Sequence, residues 1–401
     1  MGAQGDGVAA GGVMTALTLP GERVGALVAG DRGELIDVIE PSSERTSPPC
    51  PHFGVCGGCS LQHWAHEPYL EWKIEKVRTA LARVRLEPEV RLAFAAEPGT
   101  RRRVALHARR EGRGVRLGFK ARRSWSVIPI DVCPISLPVI VDALHVLREL
   151  AGPFLATPAS APILHVTATD TGLDIDVTGV ERPGPSADAL SRVGELAATA
   201  NISRVTRGGE IAYQARASIV QFGPARVALP PGAFLQAVAQ AESAMAAILV
   251  DAAQGARGIA DLYCGAGAFS FRLAAVAPVL AVDASEAAVA ALRSATAAAP
   301  GLKGIRTEAR DLDRRPMLAS ELKGFDVVVF DPPRAGAAAQ AGELARSQVP
   351  RVLAVSCNPG TFARDARTLA DGGYELRRVE VVDQFLWSPH VELVGIFQRG
   401  A

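Results

Sequence analysis

Two textures of apolar spacing divide the chain. From about residue 233 onward, short apolar runs alternate with helical stripes. The runs fall at 258–263, 278–282, 304–307, 326–330, 351–356, 375–382 and 393–398. Strands of that length, separated by helical stretches, predict an α/β fold of the doubly wound type over residues 233–401. A helix is expected to open it at 233–251, with Ala237, Ala241, Met245 and Ile248 on one side. Upstream the pattern is mixed. Tyr69, Trp72, Ile74, Val77 and Leu81 give a helical stripe over 67–85. Period-two alternation then predicts strands at 104–108, 115–119 and 127–130 and a hairpin at 163–169 and 173–177. Helices are expected at 137–150 and 187–200, and strands near 202–206, 210–214 and 218–222. This reads as a central α+β domain, 48–232 with its cysteine-rich entry. Residues 1–47, rich in glycine, show strands at 23–28 and 34–39 and predict a small β-barrel remnant. A disordered tail is the alternative for residues 1–15.

Composition changes this picture in one place. Net charge is +1, which gives no global attraction to a polyanion. Yet residues 101–123 carry ten Arg or Lys against Glu111 alone, leaving the remainder at −8. Arg101, Arg102, Arg103, Arg109, Arg110, Arg113, Arg116, Lys120, Arg122 and Arg123 are candidate contacts to nucleic-acid phosphates. No apolar run is long enough to span a bilayer, and the first residues have no signal-peptide pattern. A cytoplasmic monomer without an obligate protein partner is expected.

Cys50, Cys56 and Cys59 form a C-x5-C-x2-C group with flanking glycines. A tight group in a reducing compartment argues for a metal or cluster rather than disulfides. Cys133, followed by Pro134, is the nearest candidate for a fourth ligand. An iron–sulfur cluster and a four-cysteine zinc site both fit the spacing.

Three motifs fall at strand ends of the α/β domain, the edge where such sheets bind ligands. Asp261-Leu-Tyr263-Cys264-Gly265-Ala-Gly267-Ala-Phe-Ser270 is a strand, a glycine turn and a helix, with acidic Asp283 one strand later. That geometry suits an adenosine moiety, and Ser270 stands where a dinucleotide fingerprint has its third glycine. Asp331-Pro-Pro-Arg334 ends the next strand. Ser356-Cys357-Asn358-Pro359 ends another and presents a thiol, either a nucleophile or a plain buried cysteine.

Taken in order with the cysteine group and Pro389-His390-Val391-Glu392, these motifs resemble the RNA 5-methyluridine (uracil-C5) methyltransferase family, in its iron–sulfur-containing branch. The resemblance covers essentially the whole chain. It implies a Rossmann-like class I methyltransferase domain and S-adenosylmethionine as cofactor, contacted by Gln236, Tyr263, Gly265, Gly267, Asp283 and Asp331. It implies Cys357 as nucleophile and Glu392 as base, and a [4Fe–4S] cluster on Cys50, Cys56, Cys59 and Cys133. Residues 1–47 are similar to a shortened TRAM domain, a small RNA-binding barrel. Val238 stands where the family often has asparagine, and Asp283 where glutamate is frequent. The implied substrate is a uridine of ribosomal or transfer RNA. Two other readings share part of these features. An iron–sulfur, NAD-linked oxidoreductase would use the cluster and the glycine turn but not the Cys357 and Glu392 pair. A catalytically inactive RNA-binding protein would need neither.

Overall fold

The computed structural model describes residues 1–181 and 184–400. An eight-stranded sheet organises the C-terminal part, in the order Ile305–Ala309, Val279–Asp283, Ile259–Leu262, Val327–Phe330, Arg351–Ser356, Glu392–Arg399, Tyr374–Asp383, Glu89–Ala95. Neighbours run parallel except Glu392–Arg399, which is antiparallel to both of its partners. The central strands are buried at every position, as in Val327–Phe330, because helices cover both faces. Strand order reverses between Ile259–Leu262 and Val327–Phe330, so a crevice opens past their carboxyl ends.

The last strand of this sheet corrects the expected domain boundary. Residues 66–95 fall within the expected central domain, yet Glu89–Ala95 pairs with Tyr374–Asp383. Helix His66–Ala82 lays Ile74, Val77 and Leu81 into the same core as Phe362 and Leu369. A short edge strand with alternating exposed Glu89 and Arg91 gives too weak an apolar signal to read from sequence. The expected helix at 233–251 begins only at Ala239. Pro230 and Pro231 bias the preceding segment toward extended backbone, and residues 233–238 run along the crevice. The expected helix at 137–150 is broken at Ala143 into Pro138–Asp142 and Leu144–Ala151.

A seven-stranded sheet forms the central part, in the order Glu210–Gln214, Ile202–Arg207, Gly172–Thr178, Ile163–Thr169, Arg103–Glu111, Gly114–Lys120, Val127–Pro129. Leu147, Leu150, Val193 and Ala197 from two helices pack on Leu106, Leu164 and Ile175. Arg103, Ala105 and His107 alternate with the buried Val104, Leu106 and Ala108, so they face the other side. The expected N-terminal barrel remnant is a four-stranded sheet, Gly7–Val8, Met14–Thr15, Arg32–Glu40, Arg23–Ala29, with no buried position along its two long strands. Residues 1–15 are tied in: buried Asp6 forms ion pairs with Arg32, Arg122 and Arg123. Among the described residues no helix is long and apolar enough to cross a membrane.

Candidate active site

The turn after strand Ile259–Leu262 starts the site. Tyr263 has φ 61, a left-handed conformation that a bulky residue rarely adopts, and its hydroxyl donates to Asp313 at 3.1 Å. Gly265 follows at φ 54, where a side chain would meet nothing, so it leaves an open wall. Gly267 lies behind that wall. A Cβ there would come within 2.8 Å of Leu292 and Phe271, so this glycine serves close packing rather than a bound molecule. Asp283, at the end of the neighbouring strand, accepts the Gly265 N–H at 2.9 Å and the Ser285 N–H at 2.8 Å. Its carboxylate keeps further lone pairs for a diol. Ser270 donates to buried Asp261 at 2.5 Å, filling the place of the dinucleotide glycine with a side-chain hydrogen bond.

The next two strand ends bring the acids and the thiol together. Asp331 accepts from Gln236 Nε2 at 3.0 Å. Ser356 and Leu393 are partners across antiparallel strands; Cys357 follows the first strand and Glu392 begins the second, and the Glu392 charge acts on the Cys357 thiol. Gln236, Tyr263, Gly265, Asp283, Asp331, Cys357 and Glu392 all line one cavity of about 820 Å³. The expected residues therefore share a single cavity, apart from Gly267 and the cysteine group.

The cavity has two electrostatic sides. Burial, and then Asp331, push the Glu392 carboxyl well above the usual range, opposed by a hydrogen bond from Gln384. Burial and then Asp261 raise Asp331 as well. Asp261 is pushed up to about 7, chiefly by burial, and its Oδ1 has no partner. Cys357 is pushed up to about 11 by burial, then Glu392 and Asp331, with Arg334 acting the other way. Acids and a thiol that raise one another favour a cationic ligand, whose charge would lower all of them. Arg101, Arg103 and Arg334 line the same cavity and suit an anionic ligand.

Gln384 escaped the sequence reading. Its Nε2 donates to Gln236 Oε1 at 2.7 Å and to Glu392 Oε2 at 2.8 Å, while its Oε1 accepts the Ala237 N–H at 2.9 Å. One amide thus holds the Gln236 and Glu392 sides in register. Behind it, fully buried Lys73 contacts Asp383 and the Phe385 carbonyl, and Tyr69 also donates to Asp383. A polar residue in a loop carries no spacing signal, so only the fold could reveal this role.

The four cysteines line a second cavity, of about 300 Å³, which shares Arg101, Val104, Ala105 and Phe385 with the first. All four are free thiols. Among the described residues no group of three or more His, Cys, Asp or Glu is arranged to hold a metal ion. Around one zinc, sulfur atoms would stand about 3.8 Å apart. Burial pushes Cys59 up to about 12, and the neighbouring thiols add to the rise. The Gly58 N–H and the Ser136 hydroxyl point at Cys56 and Cys133 sulfur.

The basic segment is less free than its charge suggests. Arg102 is buried, bonding Glu242 at 2.6 Å and the Gln236 carbonyl at 2.9 Å. Arg110 bonds the Leu155 carbonyl, Arg116 pairs with Glu111, and Arg122 and Arg123 pair with Asp6. Of the ten candidates, these five are engaged within the chain.

Comparison with known proteins gives a consistent result. The family model described as tRNA (Uracil-5-)-methyltransferase matches residues 226–399. An uncharacterized RNA methyltransferase of Caulobacter vibrioides is 57% identical, over 100% of this chain and 98% of that protein. The 23S rRNA (uracil(1939)-C(5))-methyltransferase RlmD of Halomonas elongata is 35% identical, over 95% of this chain and 83% of that protein. The crystal structure of Pyrococcus abyssi tRNA (uracil-54, C5)-methyltransferase in complex with S-adenosyl-L-homocysteine superimposes with a TM-score of 0.76, at 22% identity, over 99% of this chain and 98% of that one. That last likeness establishes the fold. Family membership sets aside the NAD-linked reading. The chain belongs to the RNA uracil-C5 methyltransferase family.

Proposed function

We propose that the chain methylates carbon 5 of a uridine in structured RNA, ribosomal or transfer, with Cys357 as nucleophile and Glu392 as base. The observation that carries this is that the Cys357 thiol and the buried Glu392 carboxyl line one cavity with Asp283 and Asp331. S-adenosylmethionine, when bound, supplies an electrophilic methyl on a positively charged sulfur. Gln236, Tyr263, Gly265, Asp283 and Asp331 are the residues that would hold it, on the acidic side of the cavity. Arg101, Arg103 and Arg334 would face the RNA.

The residues' work follows from uracil chemistry. Carbon 5 is a poor nucleophile until the Cys357 thiolate adds to carbon 6 and sends the ring electrons toward the carbonyl at carbon 4. Carbon 5 then takes the methyl. Glu392 next removes the proton left on carbon 5, the ring double bond re-forms, and the thiolate is expelled. Burial, Glu392 and Asp331 raise the thiol to about 11 and so favour its protonated form. A positive ligand beside Asp331 and Glu392 offsets the repulsion that holds it so. A uridine in folded RNA must be turned out of its stack to enter.

The [4Fe–4S] reading of Cys50, Cys56, Cys59 and Cys133 rests on their lining one cavity, where neighbouring thiols raise Cys59 and so favour a positively charged core. Residues 1–47 are read as the TRAM-like RNA-binding segment.

The decisive test is a denaturing gel with labelled RNA. Cys357→Ala should form no covalent adduct and no product. Glu392→Gln should accumulate the adduct, because proton removal slows while addition and methyl transfer continue. An adduct in Cys357→Ala would assign the nucleophile elsewhere, and full turnover in Glu392→Gln would remove Glu392 as base.

A further inference from the structure

We infer that the cleft beside Trp125 is a stacking site for an unpaired base of the RNA, a few nucleotides from the target uridine. This rests on the RNA reading above and adds a grip outside the catalytic cavity. Trp125 is 79% exposed at the tip of the turn after strand Gly114–Lys120. An aromatic ring left in water on a slack loop would be unremarkable. This loop is braced on three sides. The Ala121 N–H donates to the Ser126 carbonyl at 2.7 Å, closing the turn. The cysteine segment pairs along its base, with the Gly57 N–H on the Lys120 carbonyl at 2.9 Å and the Arg122 N–H on the Val55 carbonyl at 3.2 Å. Gly57 is required there, since a Cβ would lie 2.9 Å from the Lys120 oxygen. The Arg122 and Arg123 side chains reach buried Asp6 at 2.7 and 2.8 Å. The ring is thus held out in advance of any partner, which reduces the ordering cost of binding.

Its surroundings select the partner. Lys120 Nζ lies 3.8 Å from the ring centroid, so one ring face carries a cation while the side chain as a whole stays open to solvent. Among the described residues Lys120 makes no ion pair, leaving its charge for a phosphate. Trp125, Lys120, His107 and Phe119 border a surface cleft of about 540 Å³. Burial, then Lys120 and Arg109, lower His107, so at neutral pH it is an uncharged imidazole that can donate and accept at a base edge. A basic groove with an aromatic platform is the usual arrangement for single-stranded RNA.

Position links the cleft to the catalysis. Arg103, Ala105 and His107 lie on one face of strand Arg103–Glu111. The first two line the catalytic cavity and the third lines the cleft, a separation of about 13 Å along the strand. A strand of RNA crossing this face reaches both.

The test uses the full chain and a fluorescein-labelled, single-stranded RNA of mixed sequence, read by anisotropy across a salt series. Trp125→Ala should weaken binding about 5- to 100-fold, the range of one lost stacked base, with the salt slope unchanged because no charge is removed. Trp125→Phe should retain most of the affinity. RNA should quench the tryptophan emission of the wild type more than that of Trp125→Phe. Unchanged affinity in Trp125→Ala, with wild-type RNA binding and Cys357-dependent adduct intact, overturns the stacking site alone. Absence of binding to this probe by the wild type also overturns the stacking site, while Cys357-dependent adduct formation on structured RNA decides the uridine reading separately.

Discussion

At the residue scale, Gln384 ties the proposed base Glu392 to Gln236. The proposed pair, Cys357 and Glu392, lies 35 positions apart, next to strands that periodicity reveals. That both reach one cavity depends on the antiparallel pairing of Arg351–Ser356 with Glu392–Arg399, which no local pattern encodes. Gln384 lies further out of reach, because an amide in a loop has no period. It supplies a testable consequence. Its hydrogen bond lowers the Glu392 carboxyl against the raising effects of burial and Asp331. Gln384→Met removes that donor, so the carboxyl rises further and ionises only at higher pH. With Glu392 as base, the acid limb of kcat/KM against pH should move upward, and activity near neutral pH should drop roughly 10- to 100-fold, the worth of a hydrogen bond to a charged group. A drop without movement of the acid limb would mean that Gln384 merely shapes the pocket.

At the element scale, strands buried on both faces were read well because each is a continuous apolar run. Errors fell where an element answers to a distant neighbour. Strand Glu89–Ala95 is held at the sheet edge by pairing with Tyr374–Asp383 and by Arg91 on Glu380 at 2.7 Å. The late helix start at Ala239 frees the Leu235 to Ala237 backbone, whose carbonyls and N–H groups bond Arg102, Arg103 and Gln384. The cysteine segment makes a similar long-range tie, pairing with residues 120–122. Protein purified without oxygen should therefore contain iron and acid-labile sulfide. Removing them should raise hydrogen exchange at 50–59 and 120–126 far more than in the eight-stranded sheet. One zinc per chain with no sulfide would sink the cluster assignment. Uniform exchange before and after removal would show that the cluster does not brace this segment.

At the scale of the whole molecule, the acids gathered at the crevice work against the stability of the empty protein. Asp261 is buried under the turn with its carboxyl raised to about 7, against about 4 in an unfolded chain. Between those values the folded state holds a proton that the unfolded state has released. Stability therefore falls as pH rises through that window. His63 and His390, both lowered to about 4 mainly by burial, act in the opposite sense up to the usual histidine range near 6.5. A single melting curve mixes these contributions, so the informative quantity is a difference. Asp261→Asn keeps an oxygen for the Ser270 hydroxyl and cannot ionise. Its stability relative to wild type should increase steadily from pH of about 4 to about 7, by a few kcal/mol with an upper bound of about 4, and then level off. Chemical denaturation of ligand-free protein at several pH values measures this directly. A difference that is flat with pH would mean that Asp261 carries no proton in the folded state. Asp261 would then be ionised in the folded state, and the electrostatic case for a cationic ligand would rest on Asp331 and Glu392 alone.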